Sequence, residues 1–129
     1  MKVLFKIFLV FFLVLGFSLN ANAITFDEAF EQSGSKPMLV LVYAPWADNY
    51  EAYLDNFRAL ETEFGEKFNY VELDVSTDAL KSFNQRYHVY PNLPYVLMFR
   101  DNGKVSRYIQ KNCAVSSSCM IPRVKSFIQ

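Results

Sequence analysis

The chain has 129 residues, 52% of them apolar and 17% aromatic. That is enough for one domain with a hydrophobic core, and the composition excludes a disordered polypeptide. Thirteen basic and thirteen acidic side chains leave a formal net charge of zero, which excludes the broad positive footprint of a nucleic-acid-binding protein.

Residues 1–23 read "MKVLFKIFLVFFLVLGFSLNANA". Lys2 and Lys6 precede an apolar run from Ile7 to Leu19, and Ala21-Asn22-Ala23 closes the segment. A basic start, a short apolar run and an A-x-A end are the features of a secretory signal peptide. The run falls short of the roughly 20 residues a membrane span needs. The expectation is cleavage after Ala23, with an uncleaved anchor as the rival. No cysteine stands at the junction to carry a lipid. Residues 24–129 are left with 11 basic and 13 acidic side chains. An exported protein, periplasmic or secreted, is expected, touching a membrane only through the signal segment if that stays attached.

Thr25 is placed to cap a helix over Phe26–Gln32, with Asp27 and Glu28 in its first turn. Ser33-Gly34-Ser35 ends it. "MLVLVYA", residues 38–44, is continuously apolar, as a strand covered on both faces would be. A second helix is predicted from about Asn49. Asp48 and Glu51 have the spacing of a capping box. Tyr50, Tyr53, Leu54, Phe57, Leu60 and Phe64 follow one helical face, and Gly65 is the stop. "FNYVELDV" (68–75) is a second strand. Thr77 or Asp78 opens a third helix with Leu80, Phe83 and Tyr87 inward.

"PYVLMFR" (94–100) and "KVSRYIQ" (104–110) read as strands joined at Asp101-Asn102-Gly103, a sequence with hairpin chemistry. A last helix is expected from Ile121, with Pro122 in its first turn. Strand–helix–strand units followed by a hairpin imply a three-layer α/β/α sandwich around a mixed sheet of about four strands.

These residues resemble the thioredoxin family from about residue 25 to the end. The resemblance rests on "KPMLVLVYAPW", the helix after Trp46, "ELDV", and above all "RYHVYPNLPYVLMFRDNGK", with Tyr87, Val89, Pro94, Phe99 and Gly103 as its fixed points. It implies a thioredoxin-like domain over 24–129, a cis peptide at Leu93-Pro94, and a peptide-binding groove formed by Trp46, Tyr50, Leu93, Pro94 and Tyr95. Backbone bonds at the residue after Pro94 would hold an extended segment in strand fashion.

The resemblance also implies that the nucleophilic and resolving cysteines of active members correspond to Ala47 and Tyr50, so the usual site reads Ala47-Asp48-Asn49-Tyr50. Alanine and a phenol cannot perform thiol–disulfide exchange, which needs an attacking thiolate. The buried acid that many members carry in the first strand is missing too, since Leu41 and its neighbours are all apolar or aromatic. Asp48 is expected to cap the helix; as a catalytic acid or base it has no partner that the sequence places beside it. Tyr43, Tyr50, Tyr53 and Tyr90 are candidates for an aromatic patch with Trp46 and Pro94, Tyr53 being the better fit for the core.

Cys113 and Cys119 remain. They are read as a structural disulfide clipping their loop, worth roughly 2.4 kcal/mol by loop entropy. The alternative is a relocated redox pair near Trp46 and Leu93-Pro94, its thiols tuned by Lys111 and Arg123. Two cysteines and the single His88 do not make a zinc site; His88 is read as solvated or packed. No cofactor is implied. The leading functional expectation is a binding module, redox-inactive at the usual site, for a protein or peptide partner in the cell envelope. A thiol–disulfide oxidoreductase or redox sensor using Cys113 and Cys119 is the second reading. A structural subunit of an envelope assembly is the third.

Overall fold

A computed structural model describes residues 24–129. The signal-peptide expectation for residues 1–23 lies outside them. No helix among the described residues is long and apolar enough to cross a membrane.

Helix α1 spans Phe26–Glu31 and begins with a full capping box. The Thr25 hydroxyl accepts the Glu28 N–H at 3.1 Å, and the Glu28 carboxylate accepts the Thr25 N–H at 3.1 Å. Strand β1, Met38–Tyr43, leads into helix α2, Tyr50–Phe64, and a 3₁₀ turn at Gly65–Lys67. Strand β2 is Asn69–Asp74, helix α3 Ala79–Asn84, strand β3 Tyr95–Arg100 and strand β4 Val105–Ile109. Helix α4, Lys111–Ala114, and helix α5, Ser117–Phe127, close the chain.

The sheet order is β2-β1-β3-β4. β1 runs parallel to β2 and antiparallel to β3, and β3 pairs antiparallel with β4. The expected three-layer α/β sandwich on a mixed four-stranded sheet is the architecture found. Alternation along β1 explains its apolar run. Leu39 and Leu41 join Phe57, Leu60, Val124 and Phe127 on the α2/α5 face. Met38, Val40 and Val42 join Phe26, Phe83 and Phe99 on the α1/α3 face. Both faces are covered, so every position must be apolar.

Two boundaries differ from expectation. Asp48 does not cap α2. The chain descends from β1 through turns, with the Ala47 N–H on Ala44 O and the Tyr50 N–H on Ala47 O. Asn49 then enters the helix from the left-handed region at φ 64°, with no side-chain cap. Asp48 therefore sits one residue too early for its carboxylate to reach the first helical N–H groups. The last helix also begins earlier than Ile121. Ser116 caps it, its hydroxyl accepting the Cys119 N–H at 3.4 Å. Pro122 thus lies inside α5 rather than in its first turn.

Candidate functional site

The site grows from one register pair. Val42 on β1 faces Tyr95 on β3. The chain leaving β1 toward Trp46 and the chain arriving from Leu93 therefore meet at the same end of the sheet. On the first side, Trp46 stands 71% exposed, the most exposed large apolar side chain described. Ala47 and Tyr50 are half-buried. Tyr50 stacks on Tyr43 with ring centroids 6.2 Å apart and planes 2° from parallel. Burial raises the Tyr43 phenol above its ordinary value, and the carboxylates of Asp74 and Glu72 push it further the same way.

On the second side the Leu93–Pro94 peptide is cis. Leu93 is half-buried, and Pro94 is buried rather than exposed as its place in the groove suggested. Tyr95 is fully buried, so only its backbone can serve a ligand. The Tyr95 hydroxyl accepts the Tyr90 N–H at 3.1 Å, which holds the loop before Pro94.

Chemically, the turn into α2 carries a carboxylate and a phenol but no thiol. Ala47 and Tyr50 offer no thiolate at the turn into α2. Asp48 is exposed and makes no side-chain hydrogen bond or ion pair among the described residues, so it has neither a structural bond nor a proton-transfer partner. Tyr53 is half-buried on α2, and the Tyr90 ring packs on Tyr95 and Tyr108 at 5.1 and 4.9 Å. Tyr108 was missed in the sequence because a lone aromatic in an edge strand has no local signature; only the β3–β4 register brings it beside Tyr95.

Cys113 and Cys119 form a disulfide with Cα atoms 5.3 Å apart. It joins α4 to the first turn of α5. Cys113 is only 2% exposed and is packed in the α2/α5 core with Phe57, Val96 and Ala114. Cys119 is half-buried, and the bond does not lie at the turn that follows Trp46. His88 is exposed. No group of three or more potential metal ligands occurs among the described residues.

No family profile and no curated protein matches this sequence. Solved structures do. The chain superposes on a thioredoxin f2 complex with ferredoxin:thioredoxin reductase at a TM-score of 0.64 and 13% identity, covering 83% of this chain and 94% of the other. Spinach chloroplast thioredoxin f gives 0.62 at 15% identity, over 81% and 88% of the two chains. Fasciola hepatica thioredoxin gives 0.59 at 11%, over 78% and 88%. The class is thus defined: the chain has the thioredoxin-like fold. Within it, the turn into α2 carries Ala47-Asp48-Asn49-Tyr50, and both of the chain's cysteines lie in the α4–α5 disulfide.

Proposed function

We propose that this protein is an exported binding module that holds an extended peptide in the groove between Trp46 and Leu93-Pro94, without thiol–disulfide chemistry at Ala47-Asp48-Asn49-Tyr50. One observation carries the reading. A tryptophan 71% exposed stands at the sheet end where β3 begins, beside a turn that holds no sulfur. An exposed indole costs solvation unless it meets a partner, and tryptophan is the side chain most enriched at binding hot spots. Tyr50, which the resemblance sets at the second cysteine's position, is stacked on Tyr43. The backbone at Tyr95 offers strand-like bonds to an extended chain. Export is supported by the basic, apolar and A-x-A pattern of residues 1–23.

Trp46 is the sole tryptophan, so its emission reports the groove directly. Titration with reduced, carboxymethylated ribonuclease A, an unfolded chain without tryptophan, is expected to shift that emission saturably. Trp46→Phe keeps an aromatic ring but loses the indole, and competition experiments with it are expected to show about tenfold weaker binding. In an insulin-reduction assay no turnover is expected. Turnover abolished by Cys→Ser at positions 113 and 119 would overturn the proposal in favour of redox work at that pair.

A further inference from the structure

A cavity of about 290 Å³ is bordered by the Arg86–Tyr90 segment and the edge strand β4. Leu97 and Phe99 of β3 form its apolar floor, and Tyr87, Tyr90 and Tyr108 supply aromatic walls. Tyr90 and Tyr108 are two of the three large apolar side chains exposed on the described surface, and both stand at this cavity. They meet edge to face at 4.9 Å, and Tyr108 meets Tyr95 in the same manner at 5.3 Å. Rigid rings set at steep angles around an apolar floor form a slot for another ring.

The polar border is one-sided. Arg86 and His88 line the cavity, Arg107 adjoins it from β4, and no carboxylate is among the lining residues. Alternation puts Arg107 on the sheet face of Val105 and Ile109, which leaves Arg86 and His88 as the nitrogen donors on the cavity side. Arg86 makes no ion pair among the described residues. Its guanidinium is instead parked over the Phe30 ring, 4.2 Å from the centroid. That stacking fixes the fork while leaving its N–H edge free for a carboxylate.

We propose that this cavity binds an aromatic ring bearing a carboxylate, with the ring lying over Leu97 and Phe99 beside the Tyr90–Tyr108 pair and the carboxylate on Arg86. The volume is at the small end for ligand sites and suits one ring with its acid group. Such a group is found on a free aromatic acid and on an aromatic residue at the C-terminus of a chain. The site is separate from the groove at Trp46 and does not depend on it.

Backbone amide shifts of the protein, followed by NMR during titration with N-acetylphenylalanine, test the proposal. Saturable shifts at residues 86–90 and 106–108 are expected, with N-acetylphenylalanine amide at least about tenfold weaker. Arg86→Gln is expected to weaken the acid about tenfold, whereas Arg86→Lys, which keeps the charge, loses less. Arg86 is exposed, so neither change threatens the core. A pentapeptide ending in free phenylalanine that binds tighter than N-acetylphenylalanine identifies a chain terminus as the natural source; equal affinity identifies a free acid. Equal binding of acid and amide, or no shifts at millimolar acid, overturns the proposal.

Discussion

Gly103 shows how much one side chain can matter here. It sits at φ +83° at the end of the β3–β4 turn, after Asp101 and Asn102, which also have positive φ. A Cβ added to it would lie 2.6 Å from Cζ of Phe30, a ring that is itself held between Phe26, Phe99 and the Arg86 guanidinium. Both the backbone and the neighbour therefore resist substitution. Gly103→Ala is expected to cost about 2–4 kcal/mol, combining a left-handed penalty with overpacking. Gly65, at φ +57°, has nothing within 4 Å of such a Cβ. Gly65→Ala keeps only the backbone penalty, which at φ 57° and ψ −131° lies outside the left-handed well and is expected to cost about 1–3 kcal/mol. Urea denaturation measures each loss; a Gly103→Ala loss of about 1 kcal/mol or less would mean that the Phe30 ring yields. In the sequence, Gly103 was legible as a turn glycine, but its contact with Phe30 was not, because more than seventy positions of chain lie between them.

At the scale of elements, the strands were the most legible part. β1 and β3 are central, so burial on both faces forces an unbroken apolar run, and no other short element produces one so readily. The helix starts were less legible because caps depend on where the chain arrives. α1 was read correctly since Thr25 and Glu28 satisfy each other locally. α2 was not, since the left-handed entry at Asn49 is set by the turns that follow β1. α5 was misplaced because its first turn is "SSC", poor helix formers, and Pro122 looked like a first-turn proline. Its true beginning is held by long-range partners instead: the Ser117 N–H donates to Asn56 Oδ1 on α2 at 3.1 Å, and Cys119 is bonded to Cys113. If that disulfide is a clip, the Cys113→Ser/Cys119→Ser variant should lose about 2 kcal/mol of stability, from the loop entropy of a six-residue separation. Trp46 emission in the native state should stay unchanged. A variant with full stability and altered groove binding would show instead that the bond serves the site.

Over the whole molecule, half-buried and buried phenols lie on both sides of the sheet and make the fold sensitive to alkali. Tyr70 packs at the edge of the α2/α5 core, and Tyr87 and Tyr95 belong to the α1/α3 side. Burial raises all three above the ordinary tyrosine value, most strongly at Tyr70, where the nearby Glu61 carboxylate adds to it. The Tyr70 hydroxyl also donates to Gly65 O at 2.7 Å, a bond the phenolate could not make. Below the unfolded value near 10, both states hold these protons and the phenols contribute their full stability. Above it the unfolded chain releases them while the native state retains them, so unfolding gains a proton-release term that grows until the native phenols ionise. Stability should therefore fall steadily from about pH 9.5 upward, as read by urea denaturation at each pH. Tyr70→Phe tests the assignment. At neutral pH it should cost about 1 kcal/mol through the lost bond to Gly65 O. With increasing pH the gap to the parent protein should narrow, because phenylalanine has no proton to release when the chain unfolds. A gap that stays constant through the alkaline range would show that Tyr70 ionises as freely in the native state as in the unfolded one.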